Sequence, residues 1–258
     1  MEDLRPTGEE WHAPPRGLRL EAGEVHVWRA SLSRNESALT SARALLSVDE
    51  RERAGRFRFQ KDQDQYTVAR AALRDILSRY LQTPAAEISF SYNSHGKPAL
   101  SGADESCGLN FNLSHTDGLA LYALTRDAAV GVDVERVREW EAVEGLAERF
   151  FSTEEVSAVN GLLVSQRAAE FFDCWTRKEA CVKAVGRGLS LPLDSFTVSL
   201  ASGEMKTTLR MDAREDESAE WSLFGLKPLE GYAAALAVAG RVRHLSRWQW
   251  PGFDAVGC

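Results

Sequence analysis

The stretch Phe171-Phe172-Asp173-Cys174-Trp175-Thr176-Arg177-Lys178-Glu179-Ala180-Cys181-Val182-Lys183-Ala184-Val185-Gly186-Arg187-Gly188-Leu189 decides how the chain is organised. Phe171, Trp175, Val182 and Val185 recur at helical spacing, and Gly186 and Gly188 end the run, so the segment reads as one helix. Glu179 and Lys183 are four residues apart and share a face, which by spacing alone is an ordinary surface pair. A second acidic pair upstream changes that reading. In Val130-Gly131-Val132-Asp133-Val134-Glu135 the valines alternate with Gly131, Asp133 and Glu135, as in a strand with two distinct faces. The two carboxylates then share a face, roughly 6.5 Å apart along it. Like charges that close repel unless a cation lies between them. Magnesium suits the place: it takes one or two carboxylates, keeps some waters and binds substrate phosphates. Asp133, Glu135 and Glu179 would form a half-empty oxygen set open to a pyrophosphate. The plainer alternative is a solvated strand face.

Charge and composition narrow the partners. The 258 residues carry a net charge of −7, which argues against a general nucleic-acid binder and leaves phosphate recognition to local basic groups. A chain that is 44% hydrophobic and 27% charged suits one or two compact domains with real cores. No apolar run is long enough to span a membrane. Residues 1–20 are charged, carry prolines and lack the apolar run of a signal peptide. Cys107, Cys174, Cys181 and Cys258 include no Cys-x-x-Cys pair, and Cys174 and Cys181 stand two turns apart on one helix, too far to bridge. These features point to a reducing, cytoplasmic setting without membrane or nucleic-acid partners.

Along the chain, residues 1–22 read as an irregular arm and Glu24 to Ala30 as a strand. Ser47 and Glu50 fit a capping box at a helix start, and a longer helix runs from Asp64 to Leu81. Ile88 to Tyr92 is a short strand, Asn93 to Pro98 a turn, and Leu109 to His115 with Leu119 to Thr125 a hairpin around Thr116-Asp117-Gly118. The second half repeats the order: a strand at Val130 to Glu135, a charged connection with a capping box at Ser152 and Glu155, the central helix, then strands at Phe196–Leu200, Trp221–Leu226 and Tyr232–Ala239. Trp140 reads equally as an exposed anchor or a core residue. The recurring strand–helix–strand–strand order, and the similar strands after Gly118 and Gly231, suggest a weak internal duplication. The expected fold is α+β, with two similar α/β halves at 1–127 and 128–258 and a tail at 245–258 beyond the repeat.

Gly131-x-Asp133-x-Glu135, followed by Trp175-x-x-Lys178-Glu179-Ala180-x-x-Lys183-Ala184-x-Gly186-x-Gly188-Leu189, resembles the signature of the Sfp-type 4'-phosphopantetheinyl transferases. The resemblance covers about residues 47 to 240. It implies two halves related by pseudo-twofold symmetry, with coenzyme A bound at the seam of a monomer. It further implies magnesium-dependent transfer, with manganese as an alternative metal, of the 4'-phosphopantetheine arm to a serine hydroxyl of an apo acyl or peptidyl carrier protein of polyketide or nonribosomal peptide biosynthesis. Adenosine 3',5'-bisphosphate would leave. Asp133, Glu135 and Glu179 would hold the metal and Lys183 a phosphate oxygen. Asp133, Glu179 and Lys183 would carry the catalysis, with Glu179 as ligand, base or both.

The same resemblance extends to the binding residues. Asn112-Leu113-Ser114-His115 matches the family's Asn-x-Ser-His segment, which assigns Ser114 and His115 to coenzyme A phosphates. Gly96-Lys97-Pro98 matches its Gly-Lys-Pro turn, which sets Lys97 near the nucleotide. In the basic cluster Arg51, Arg53, Arg56, Arg58 and Lys61, the resemblance favours Arg51 and Arg53 for the 3'-phosphate, although Phe57-Arg58-Phe59-Gln60-Lys61 is about one residue longer than the common pattern. Thr67 would supply a nucleotide-contacting hydroxyl, and Arg70 a further phosphate ligand. Ser114 and His115 make a poor nucleophile–base pair, because neighbouring strand residues face opposite ways. Two other readings stay open: a metal-dependent pyrophosphohydrolase using the same carboxylates, and a non-catalytic module that binds carriers or coenzyme A.

Overall fold

Alternation along the strands sorts the side chains into three cores, and the layering of the molecule follows from it. The computed structural model describes residues 10–143, 145–198, 204–209 and 219–253. In chain order these residues form β1 (Glu24–Ser31), α1 (Glu36–Leu45), α2 (Val48–Gly55), α3 (Gln60–Leu81), β2 (Ser89–Tyr92), β3 (Pro98–Ser101), β4 (Leu109–Thr116), β5 (Leu119–Arg126) and β6 (Val130–Arg136). They continue through α4 (Leu146–Phe150), α5 (Thr153–Asn160), α6 (Val164–Val185), β7 (Glu204–Leu209), β8 (Ala219–Leu226), β9 (Tyr232–Ala239) and β10 (His244–Gln249). One sheet has the order β10-β1-β5-β4, another β6-β9-β8-β7, and β2 pairs with β3 as a separate hairpin. No helix among the described residues is long and apolar enough to cross a membrane.

Leu119, Leu121 and Ala123 of β5 point, with Val25 and Val27 of β1, toward Val130, Val132 and Val134 of β6 and Leu236 and Val238 of β9. This is the core between the sheets. The intervening residues of β5, Ala120, Tyr122 and Leu124, face the opposite way onto Val68, Ala72, Leu73 and Ile76 of α3. Ala233, Ala235 and Ala237 of β9 pack on Phe171, Cys174 and Cys181 of α6. The layers therefore run helix, sheet, sheet, helix. Strands covered on both faces lose the apolar–polar alternation, which is why residues 119–124 and 232–239 read as continuous apolar runs.

The central helix is longer than the motif stretch: α6 begins at Val164 and ends where Gly186 turns left-handed at φ 77°. Likewise α3 begins at Gln60 rather than Asp64. The capping boxes at Ser47/Glu50 and Ser152/Glu155 are both formed. Trp140 is a core residue, buried with its ring edge-on to Phe171 at 6.3 Å.

The strand expected at Phe196–Leu200 is a correction. Residues 196–198 are irregular, and 199–200 lie outside the described residues. The Phe196 carbonyl and the Val198 N–H are used by buried charges instead. Lys178 Nζ, pointing off the back of α6, donates to the carbonyls of Leu193 at 2.7 Å and Phe196 at 2.6 Å, and Glu155 accepts the Val198 N–H at 2.7 Å. The outer strand of that sheet is β7. The C-terminal region supplies another element unseen in the sequence, because β10 lies parallel to β1 from Glu24↔His244 to Arg29↔Gln249. Trp248 and Trp250 are buried in the core beneath it, and Trp250 Nε1 donates to Asp75 Oδ2 at 2.7 Å.

Gly131 sets the distance between α6 and β6. A Cβ at this position would lie 2.0 Å from the Ala180 carbonyl oxygen and 2.4 Å from the Ala184 nitrogen. No larger residue fits, so the helix backbone rests directly on the strand that carries Asp133 and Glu135. Gly131→Ala is expected to destabilise the protein by about 1–3 kcal/mol through overpacking. That is a loss of roughly 2–12 °C in Tm for a chain of this size. An unchanged melting temperature in calorimetry would show that the helix yields freely and that the close approach is not a constraint.

Candidate active site

The outer edge of the first sheet, β4, faces the outer edge of the second, β6. On β4 the side chains of Asn112, Ser114 and Thr116 recur every second residue and so share a face. All three reach β6. Asn112 Oδ1 accepts the Val132 N–H at 2.9 Å, and Ser114 Oγ donates to Asp133 Oδ1 at 2.8 Å. Thr116 Oγ1 reaches Glu135 Oε2 at 3.5 Å, the limit of a hydrogen bond. Above them α6 presents Glu179 and Lys183. Lys183 turns away from its helical neighbour Glu179 to Asp133, placing Nζ 2.5 Å from Asp133 Oδ1 and 2.9 Å from Ser114 Oγ.

Asp133 is 3% exposed, and its second oxygen, Oδ2, is buried without a hydrogen-bond partner. The two other carboxylates are half-buried beside it. Burial first, and the Asp133 charge second, push both Glu135 and Glu179 above the usual carboxylate range. Among the described residues no group of three or more His, Cys, Asp or Glu side chains is assembled around a common metal position. The donor set nonetheless fits a hard divalent cation. Its atoms are all carboxylate oxygens, one is orphaned in the interior, and the Asp133 charge raises the pKa of both glutamates.

An open cleft of about 440 Å³ lies beside these groups. Its walls come from both sheets and their helices: Arg53, Tyr66 and Arg70 on one side, Tyr92 and His95 to Pro98 of the hairpin, Asn112 to His115 of β4, and Glu179, Val182 and Lys183 of α6. Arg53 is exposed, with its guanidinium 5.8 Å from the Tyr66 ring centre. Arg70 is buried; its Nε donates to Glu50 Oε1 at 2.7 Å and its Nη2 to the Tyr92 hydroxyl at 3.1 Å. Arg74 Nε holds the other Glu50 oxygen at 2.6 Å. Burial alone would raise the Glu50 pKa, but Arg70 and Arg74 outweigh it and hold the carboxyl below its usual range. Two guanidiniums on one carboxylate leave a net positive charge at the cleft wall.

Lys97 and Asn93 tie the hairpin to the end of α6. Lys97 Nζ donates to the carbonyls of Val130 at 3.2 Å, Lys183 at 2.6 Å and Ala184 at 3.1 Å, and burial pulls its pKa down to about 8. Asn93 Nδ2 adds a bond to the Gly186 carbonyl at 2.9 Å. Together they satisfy helix-terminal carbonyls that have no partner within the helix. The stem of Lys97 lines the cleft, but its ammonium is committed to backbone. His115 sits exposed at the cleft wall, and its imidazole is drawn below the usual range by the surrounding protein first, then by Lys183 and Arg70.

Arg51 and Thr67 stand apart from this wall. Arg51 is exposed and donates to the Leu46 carbonyl at 2.6 Å, while the buried Thr67 hydroxyl is turned back to the Gln63 carbonyl at 2.8 Å. Sequence reasoning missed Glu50, Tyr66 and Tyr92. For Glu50 a signal existed: Arg70 and Arg74, four apart on one apolar helix, need a buried counter-charge.

The sequence signature of the 4'-phosphopantetheinyl transferase superfamily matches residues 129–237, and that of the 4'-phosphopantetheinyl transferase N-terminal region matches residues 27–126. The chain is 38% identical over 230 residues to the 4'-phosphopantetheinyl transferase HetI of Nostoc sp., covering 89% of this chain and 94% of that protein. This chain belongs to the 4'-phosphopantetheinyl transferase superfamily. It is also 33% identical over 157 residues to the transferase ffp of Bacillus subtilis and 31% identical over 157 residues to Sfp of Bacillus subtilis strain 168, in each case over 61% of this chain and 67% of the relative. The two signatures of the transferase meet between residues 126 and 129, at the turn from β5 into β6 that joins its two large sheets.

In this transferase Glu50→Gln should destabilise the fold by about 3–5 kcal/mol, the scale of leaving buried charges without their partner. Because the folded pKa of Glu50 lies below the unfolded one, its contribution is present above the ordinary carboxylate pKa of about 4.3 and is lost as pH falls through the folded value. Denaturation followed from pH 7 into the acid range would check both points. A variant as stable as wild type at pH 7 would remove the role of Glu50 as an anchor.

Proposed function

We propose that the chain transfers the 4'-phosphopantetheine arm of coenzyme A to a serine hydroxyl of an apo acyl or peptidyl carrier protein, with magnesium or manganese required and adenosine 3',5'-bisphosphate released. One observation carries this reading: the cleft sets the cations Arg53, Arg70 and Lys183 beside the carboxylates Asp133 and Glu179. That arrangement supports binding of a diphosphate ester across the junction of the two halves. The cleft takes walls from both halves of one chain, which supports a monomer. Each half contributes a 22-residue helix on an outer sheet face, which supports a pseudo-twofold relation between them. Free cysteines among the described residues, Cys107, Cys174 and Cys181, suit a cytoplasmic setting.

Chemically, the carrier serine oxygen forms a bond to the phosphorus that bears the pantetheine arm. The bond from that phosphorus to the bridging oxygen breaks, and the nucleotide bisphosphate leaves. Most of the catalysis in such a transfer is positioning and charge neutralisation. Asp133, Glu135 and Glu179 would hold the divalent cation, which when bound supplies positive charge to the pyrophosphate oxygens. Lys183 holds a phosphate oxygen from the α6 side. Glu179, half-buried and with a raised pKa, takes the serine proton. Arg53 and Arg70 bind phosphate at the nucleotide end, with His115 along β4, while Ser114, whose one O–H goes to Asp133, orients that carboxylate. Lys97 acts here by fixing the hairpin against α6 and so shaping the nucleotide wall.

Intact mass spectrometry of an apo carrier incubated with this protein and coenzyme A tests the proposal. The expected result is a gain of one phosphopantetheine unit that needs magnesium. Asp133→Ala should slow it by ~100-fold or more, the scale of removing one preorganised electrostatic group. Glu179→Gln should lower turnover far more than it raises KM for coenzyme A; an unchanged turnover would exclude it as base and ligand. Coenzyme A cleaved without any carrier would instead establish a hydrolase. Intact coenzyme A and an unmodified carrier would establish a binding module.

A further inference from the structure

We infer that Lys183 is a resident counter-ion that competes with a divalent cation for Asp133, and that its ammonium moves from Asp133 to a phosphate oxygen when the carboxylates are otherwise neutralised. The inference rests on reading Asp133, Glu135 and Glu179 as a cation site. It adds that the lysine of this site has two alternative partners and that its first partner opposes metal binding.

The contacts around Asp133 carry the argument. Lys183 Nζ at 2.5 Å and Ser114 Oγ at 2.8 Å both fall on Oδ1, and Lys183 also donates to Ser114 Oγ at 2.9 Å. Oδ2 is buried and has no partner. A carboxylate with one oxygen doubly engaged and the other bare is only half satisfied. The charge count points the same way, since Asp133, Glu135 and Glu179 bring three negative charges and Lys183 brings one positive. The neighbouring ammonium of Lys97 is occupied by the carbonyls of residues 130, 183 and 184.

The two partners of the ion pair differ in freedom. Asp133 is fixed on β6 with a side chain 4% exposed, whereas the Lys183 side chain is 29% exposed and lines the cleft on a flexible four-carbon stem. The lysine is the partner that can move. An ammonium and a divalent ion on one carboxylate repel each other, so each weakens the other's hold on Asp133. A phosphate oxygen in the cleft offers Lys183 a second counter-charge within reach of the same stem. Ser114, hydrogen-bonded to both partners, keeps Asp133 Oδ1 hydrogen-bonded after the ammonium leaves.

The test is titration of Mn²⁺ into the apo protein without substrate, with free Mn²⁺ read by electron paramagnetic resonance. Lys183→Met is expected to tighten Mn²⁺ binding by about tenfold or more, a usual size for coupling between two sites. Lys183→Arg, which keeps the cation, should stay near wild type, and Asp133→Asn should lose the binding. Calorimetric titration of inorganic pyrophosphate without metal should show weaker binding to Lys183→Met than to wild type. A purely structural ion pair predicts the opposite sign for the metal, so Mn²⁺ that binds Lys183→Met no more tightly than wild type overturns the inference while leaving the cation site intact, and Mn²⁺ that binds neither protein overturns the cation site and the inference with it. Mn²⁺ binding that survives Asp133→Asn overturns the cation site and the inference with it.

Discussion

Two sheet edges that would each present a row of backbone groups without strand partners face one another where β4 meets β6. No strand ladder joins them; side chains from every second residue of β4 do. Asn112 takes a backbone N–H of β6, and Ser114 and Thr116 take its carboxylates. The same three rungs thus solve two problems. They satisfy part of an exposed edge, which an isolated half would have to protect otherwise. They also hold Asp133 and Glu135 in one orientation over a cleft whose opposite wall belongs to α6. Gly131, by letting α6 rest on β6, sets how far that wall stands away.

Buried charges on the far side of α6 lock its rotation. Lys178 and Glu179 are neighbours and point to different sides of the helix. Lys178 is fully buried, 2.7 Å from Glu155, and lies 4.5 Å from the Phe196 ring centre. Replacing such a pair by apolar residues often leaves stability unchanged or higher, so stability alone does not account for it. Its geometry does more than its energy here. An ammonium held by one carboxylate and two carbonyls tolerates little rotation of α6, and Glu179 is consequently held toward the cleft. Glu50 does comparable work for Arg70 on the opposite wall.

The parts of this arrangement that depend on local periodicity were legible in the sequence. Strand alternation put Asp133 and Glu135 on one face, and helical spacing put Glu179 and Lys183 on another. Ser114 and His115 separated to opposite faces for the same reason. What depends on contacts across the layers was not legible. The turn lysine Lys97 is spent on the helix end of the other half, and nothing in Gly-Lys-Pro indicates that. Lys183 sits four residues after Glu179 yet pairs with Asp133, because the strand beneath offers a drier and more fixed carboxylate. Residues 196–200 alternate like a strand, but Lys178 and Glu155 claim the backbone groups a ladder would need. The parallel β10 went unseen because its pairing partner lies some 220 residues away and no turn connects them.

That last pairing has a consequence for the order in which the molecule can be made. The final described strand lies beside the first, so the sheet nearest the N-terminus closes only after residues 244–249 have left the ribosome. Until then β1 is an open edge, and the hydrophobic cluster around Trp28 lacks Trp248 and Trp250. The N-terminal half therefore waits, incomplete, through synthesis of the whole C-terminal half, and the nascent chain carries an unpaired strand edge for most of its translation. Completion of the first sheet thus comes after every strand of the second has been made.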